Sequence, residues 1–135
     1  MEREQLMQAA KDLEAEMIKF MRDLIAIPGE SCKEEQVIKR IEAEMKKVGF
    51  DEVIIDKMGN IIGRLGKGKT KIMMDAHIDT VGIGDRNAWK IDPYKGDMKD
   101  GIIYGRGATD QRAGMVSMVY AAAIIKKLKL EDDYS

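Results

Sequence analysis

The chain has 135 residues, with 23 Lys and Arg against 24 Asp and Glu, so its formal net charge at pH 7 is −1. This length allows one compact domain, and the balanced charge argues against a nucleic-acid-binding surface, which needs a basic excess. No apolar run is long enough to span a membrane, and the single cysteine, Cys32, excludes an internal disulfide. The sequence therefore predicts a cytoplasmic protein without nucleic-acid or membrane partners.

Two amphipathic helices are predicted in the first fifty residues. Apolar residues recur at steps of three and four over residues 6–24, and the Pro-Gly pair that follows ends this helix. Ser31 and Glu34 have the spacing of a capping box, which predicts a second helix that ends at Gly49. Cys32 would then lie in the first turn of the second helix.

The apolar period then changes from about 3.6 to 2, which predicts strands. Residues 50–56 and 61–65 form a predicted hairpin, the apolar run 72–74 predicts a buried central strand, and a second hairpin turns at 99–101. A helix that is apolar on nearly all sides is predicted from 112 to about 128. This order predicts an α/β fold with a mixed sheet flanked by helices.

The only histidine, His77, follows the predicted central strand, and Asp79 lies two residues further on. Residues two apart on a strand point to the same face, and open α/β sheets place their sites at the carboxyl ends of strands. A carboxylate often holds the second ring nitrogen of a metal-bound imidazole, and Asp79 is placed to do so. Taken alone, the two residues also fit a structural histidine beside an acid.

Asp110 stands at the start of the last predicted helix, after Gly105 and Gly107. A carboxylate there can cap the helix and offset its dipole, or it can bridge two cations through its two oxygens. Both interpretations remain open at this point.

Residues 63–70 match G-x-x-x-x-G-K-[ST], the pattern of phosphate-binding loops. That motif requires a helix after the loop, whereas the residues that follow here are typical of a strand. A hairpin turn is therefore favoured, and nucleotide binding through Gly63–Thr70 is a remote alternative.

Three motifs that contain these residues follow one another along the chain: Met74-x-x-His77-x-Asp79-x-Val81, Trp89-x-x-Asp92-Pro93-Tyr94 and Asp100-Gly101-x-x-Tyr104-Gly105-Arg106-Gly107-x-x-Asp110. Together they resemble the zinc-dependent superfamily that includes acetylornithine deacetylase, succinyl-diaminopimelate desuccinylase and carboxypeptidase G. Residues 107–114 are most similar to its branch of selenium-metabolism-linked hydrolases. The resemblance implies that residues 1–135 are the incomplete N-terminal half of a zinc-exopeptidase-like catalytic domain, without the lid and dimerisation domain and without the C-terminal part.

The resemblance also implies roles for the three candidate residues. His77 would bind one zinc ion, Asp110 would bridge two, and Asp79 would be a catalytic residue that orients His77. In a complete site two Zn²⁺, or Co²⁺ or Mn²⁺ in their place, activate a water that hydrolyses the amide bond of a peptide or N-acyl amino acid. The Asp110–Gln111 peptide bond is expected to be cis.

The family's general-base glutamate and its remaining metal ligands are absent from this sequence. The resemblance therefore implies a hydrolase fragment that is inactive alone, and a non-catalytic remnant or binding module with the same fold is the alternative. A homo-oligomer is compatible with either interpretation.

Overall fold

The structure is a computed structural model that describes residues 3–130 and 132–135. Its helices are α1 (Arg3–Asp12), α2 (Glu14–Ala26), α3 (Glu35–Lys47) and α4 (Ala113–Lys127), and its strands are β1 (Glu52–Ile55), β2 (Ile61–Arg64), β3 (Asp97–Lys99) and β4 (Ile102–Tyr104). A short 3₁₀ helix spans Arg86–Ala88, and a kinked turn, Ala108–Arg112, leads into α4. The strands pair as two separate antiparallel sheets, β1–β2 and β3–β4. The predicted α/β class is confirmed.

The core lies between α2, α3 and α4. Phe20 and Leu24 of α2, Ile41 of α3, and Val119 and Tyr120 of α4 are at most 1% exposed. Their spacing along each helix gives one apolar face per helix. The helices therefore form the core against which the hairpins and loops pack.

The helix α4 is enclosed on most sides, as its composition predicts. Before its last turn, the exposed positions are Ala113, Ser117 and Ala121, which are four residues apart and form one narrow stripe. None of the described helices is long and apolar enough to cross a membrane.

The first predicted helix is divided into α1 and α2 at Leu13. The amide of Leu13 donates to the carbonyl of Ala10 at 3.2 Å, three residues back, which tightens the chain into a turn between the two helices.

The predicted capping box at Ser31 and Glu34 is wrong. The helix α3 begins at Glu35, and Glu34 precedes it without a side-chain capping bond. The Glu34 carboxylate instead accepts a hydrogen bond from the amide of Cys32 at 2.9 Å. Cys32 therefore lies outside the helix, in a turn where its φ is 68°. Ser31 lies four residues before the first residue of α3, too far from the helix to occupy the N-cap position.

Both predicted hairpins are present. The β1–β2 pair places Val53 opposite Gly63. The β3–β4 pair turns at Asp100 and Gly101, whose φ angles are 52° and 78°. Two successive left-handed residues are the signature of the tight turn that matches the twist of a hairpin.

The predicted buried strand at 72–74 is wrong. Ile72, Met73 and Met74 form no strand and are 63%, 90% and 54% exposed. A central strand needs a hydrogen-bonded neighbour on each side. Within the described residues this segment has a single parallel bridge from Thr70 to Tyr134 and a bond from the Ile72 amide to the Ser135 carbonyl.

Candidate functional site

Two loops bring the three candidate residues into one cleft. His77 and Asp79 lie on the long connection between β2 and β3, and Asp110 lies on the turn that leads into α4. With Thr80 and Gly107 among the other lining residues, they border a cleft of about 290 Å³. The structure therefore places together residues that are 33 positions apart in the chain, while their chemical roles remain predictions.

The His77 ring lies between two carboxylates. Its Nδ1 atom is 3.1 Å from Oδ1 of Asp79 and 3.2 Å from the Asp79 carbonyl oxygen, and its Nε2 atom is 2.8 Å from Oδ1 of Asp110. Since Nδ1 faces two acceptors, it carries a proton and donates. In a neutral ring Nε2 then presents a lone pair to the carboxylate oxygen of Asp110. Facing lone pairs repel each other, so this contact is favourable only with a proton on the ring or a metal ion between the two atoms. Without either cation, the exposed Asp110 side chain can turn away to water.

The electrostatics of the cleft favour that cation. The hydrogen bond to Asp110 is the largest influence on the pKa of His77 and raises it. Burial comes next and lowers the pKa, and the hydrogen bond to Asp79 raises it further. The hydrogen bond from Ser31 is the largest cause that lowers the pKa of Asp79. The His77 and Asp110 side chains are 46% and 86% exposed, so water screens these interactions and their energies are small.

The turn that carries Asp110 is packed closely against the other loop of the cleft. Gly107 has a φ of 74°, and a Cβ atom there would lie 2.4 Å from Cγ2 of Thr80. Only glycine combines this backbone angle with so close an approach. The Asp110–Gln111 peptide bond is cis, as the resemblance implies.

Arg112 anchors the same turn to the helical core, and its role was missed at the sequence level. Its side chain is 1% exposed, and its Nη1 atom donates to the carbonyl oxygens of Leu24 and, at 2.9 Å, Ile27. Burial lowers the pKa of the guanidinium. The sequence does indicate this burial, because Arg112 lies three residues before Met115 and four before Val116. That spacing places Arg112 on the buried face of the helix that follows.

The donor set fits a zinc ion in part. Zinc binds imidazole nitrogen and carboxylate oxygen, which are the atoms that converge between His77 and Asp110. Across residues 3–130 and 132–135, no group of three or more His, Cys, Asp or Glu side chains could hold a metal ion. A catalytic zinc usually has three protein ligands. The described residues therefore supply two candidate ligands and, in Asp79, a carboxylate on the far side of the imidazole.

The structure does not support a phosphate-binding loop at Gly63–Thr70. Residues 71–85, which directly follow this segment, form no helix. The amides of Gly68 and Thr70 donate to the carbonyl oxygens of Tyr134 and Asp133, at 3.2 and 3.1 Å. A phosphate cradle needs free amides at a helix N-terminus, and these amides are already occupied.

Comparison with known proteins identifies the class. Residues 73–134, which include His77, Asp79 and Asp110, match the family model described as Peptidase family M20/M25/M40. This match and the desuccinylase names of two relatives support the resemblance to the superfamily of aminoacylases and desuccinylases that the motifs indicate. The likeness to the selenium-metabolism-linked branch stays a prediction.

Individual relatives are considerably longer than this chain. It is 55% identical over 130 residues to the uncharacterized protein YgeY of Escherichia coli K12, covering 96% of this chain and 32% of that protein. It is 36% identical over 104 residues to a succinyl-diaminopimelate desuccinylase of Cereibacter sphaeroides, covering 74% and 27% of the two chains. It is 28% identical over 117 residues to a probable succinyl-diaminopimelate desuccinylase of Staphylococcus epidermidis, covering 84% and 29%. The chain thus spans about a third of the length of the curated relatives it matches.

Proposed function

We propose that this chain carries one side of the metal site of a zinc-dependent hydrolase that cleaves the amide bond of peptides or N-acyl amino acids. The observation that carries the proposal is the approach of His77 Nε2 to Asp110 Oδ1 at 2.8 Å in an open cleft, with Nδ1 of the same ring held by Asp79. The match of residues 73–134 to a peptidase family supports metal-dependent hydrolysis. The desuccinylase names of several relatives support an N-acyl substrate.

Each residue has a separate part in this proposal. His77 would hold one metal ion, and the Asp110 carboxylate would be shared by two. Asp79 accepts a hydrogen bond from Nδ1–H of His77, which would leave the Nε2 lone pair for the metal. Zinc, or Co²⁺ or Mn²⁺ in its place, supplies Lewis acidity and a bound water of lowered pKa.

The described residues supply fewer than the three ligands of a catalytic zinc. We therefore expect the 135-residue chain to bind zinc weakly and to show no turnover by itself. Hydrolysis of N-acyl amino acids by this chain with added zinc or cobalt would contradict this expectation.

The proposal is tested by calorimetric titration of zinc into the purified chain and three alanine variants. His77→Ala and Asp110→Ala each remove one of the converging donor atoms, and each should weaken zinc binding by at least about tenfold. Asp75→Ala is the matched control, because Asp75 lies in the same loop, is exposed and makes no hydrogen bond or ion pair with the described residues. Its affinity for zinc should equal that of the unaltered chain.

Two results would contradict the assignment. Equal zinc affinity in all four proteins would place the metal elsewhere. Absence of zinc binding in a chain whose circular dichroism shows the expected helix content would mean that these two donors do not form a site without further ligands.

A further inference from the structure

The line of hydrogen bonds through His77 continues to a fourth side chain. The Ser31 hydroxyl donates to Oδ2 of Asp79 at 2.5 Å, while Oδ1 of the same carboxylate faces Nδ1 of His77 at 3.1 Å. Both oxygens of Asp79 are thus engaged, one by each neighbour. Ser31, Asp79, His77 and Asp110 form one connected row that begins outside the two loops of the cleft.

The backbone around Ser31 is held in place independently of its hydroxyl. The carbonyl of Gly29 accepts a hydrogen bond from the amide of Thr80 at 2.8 Å. The carbonyl of Ile27 accepts one from the buried guanidinium of Arg112 at 2.9 Å. These bonds fix the segment 27–31 beside the loop that carries Asp79, so the hydroxyl is presented to the carboxylate by a preformed backbone.

A carboxylate held at one oxygen can rotate, because the terminal torsion of an aspartate side chain has a broad, roughly two-fold potential. His77 also has an alternative acceptor for Nδ1, the Asp79 carbonyl oxygen at 3.2 Å. Without the bond from Ser31, neither the carboxylate nor the imidazole has a unique orientation. With that bond, Oδ1 of Asp79 is directed at Nδ1 of His77, which leaves Nε2 for Asp110.

We propose that Ser31 is a positioning residue of the candidate metal site, because its hydroxyl fixes the Asp79 carboxylate and thereby the tautomer and orientation of His77. The effect of Ser31 on metal binding rests on the proposed function, whereas the effect of Ser31 on His77 does not depend on a metal. Partners of this kind, which contact a ligand and not the metal, change metal affinity by roughly 10–100-fold when removed.

The test uses Ser31→Ala, with Ser31→Thr as the variant that keeps the hydroxyl. Ser117→Ala is the matched serine control, because the Ser117 hydroxyl bonds to the Ala113 carbonyl on α4 and not to any residue of the row. Ser31 is exposed, so all three variants should keep the helix content and melting temperature of the unaltered chain.

The first measurement is the ¹⁵N spectrum of the imidazole in the metal-free chain. His77 is the only histidine, so all imidazole signals in the spectrum belong to this residue and need no assignment. At about pH 9, well above the ordinary histidine pKa of roughly 6.5, the Nδ1–H tautomer should predominate in the unaltered chain, in Ser31→Thr and in Ser117→Ala. In Ser31→Ala the Nε2–H tautomer should become substantially populated.

The second measurement is zinc affinity, which should fall by about tenfold in Ser31→Ala and return in Ser31→Thr. An unchanged tautomer in Ser31→Ala would overturn the inference, and so would an unchanged zinc affinity beside an altered tautomer. If the unaltered chain binds no zinc, the proposed function fails separately, and the metal-free spectra still decide whether Ser31 controls His77.

Discussion

Glu44 offers a quantitative test of how the helical core is held together. Its side chain is 2% exposed, yet it accepts hydrogen bonds or ion pairs from Tyr120 at 2.5 Å, Arg40 at 2.7 Å and Lys47 at 3.3 Å. Burial is the largest influence on its pKa and by itself would raise it. The hydrogen bonds from Tyr120 and Arg40, together with the positive charges of Arg40 and Lys47, outweigh burial and lower the pKa. Glu44 is therefore ionised inside the core and depends on its donors.

We predict that Tyr120→Phe destabilises the chain without changing its fold. The ring of Tyr120 is fully buried beside Phe20, with the ring centres 6.3 Å apart, and phenylalanine keeps that packing. The substitution removes one hydrogen bond to a charged acceptor, which is worth about 1.5–3 kcal/mol. For a chain of this size that loss corresponds to a fall in Tm of roughly 5–15 °C.

The pH dependence follows from the direction of the Glu44 pKa shift. Its folded pKa lies below the unfolded value of about 4.3. The stability that ionised Glu44 contributes is therefore complete above about pH 4.3 and is lost as the pH falls through the folded pKa. The penalty of Tyr120→Phe should be larger at neutral pH than at about pH 3, because part of it is the loss of a bond to a negative charge.

Urea unfolding of both proteins at the two pH values measures this difference. Tyr104→Phe is the control, since Tyr104 is 38% exposed and its hydroxyl bonds to none of the described residues. A penalty for Tyr120→Phe below about 0.5 kcal/mol, the range of ordinary surface substitutions, would refute the reasoning. An equal penalty at both pH values would refute the charge-assisted part of it.

Two further predictions concern the cleft and the exposed apolar segment. Gly107→Ala should lower the free energy of unfolding in urea by more than about 1 kcal/mol, because it adds a Cβ only 2.4 Å from Thr80 to a residue with a φ of 74°. The control is Gly84→Ala, which should lower it less because Gly84 has a φ of 64° and open space around it. Equal losses in the two variants would exclude the close contact as the cause. Met73→Lys should change the free energy of unfolding by no more than about 0.5 kcal/mol, because Met73 is 90% exposed. The same substitution should reduce self-association in sedimentation experiments. Unchanged sedimentation would show that this apolar segment does not mediate association.

The elements that could be predicted are those whose determinants are local. The helix α3 ends where predicted because Gly49 adopts a φ of 91° and closes the helix in the way that glycine favours. The second hairpin turns at Asp100 and Gly101 because those two residues accept left-handed angles. In both cases a few consecutive residues contain the whole physical reason for the structure.

The predictions that failed depend on partners far along the chain. The apolar run at 72–74 has the composition of a buried strand, but burial requires neighbouring strands, and the described residues contribute only a short bridge at Thr70. Ser31 has the spacing of a helix cap, but its hydroxyl bonds to Asp79, 48 residues away. The helix begins only at Glu35, and no local pattern reports that the hydroxyl of Ser31 reaches an acceptor so far along the chain.

The candidate site combines both kinds of determinant. Motifs identify His77 and Asp110 as candidates, but their contact depends on how two loops sit on the helices. Gly107 lets one loop approach the other, and Arg112 ties the same turn to the carbonyl groups of Leu24 and Ile27. The distance between Nε2 of His77 and Oδ1 of Asp110 is therefore set by the core formed by α2 and α4 as much as by the residues of the cleft. Substitutions that loosen this core should weaken zinc binding even where they touch neither ligand.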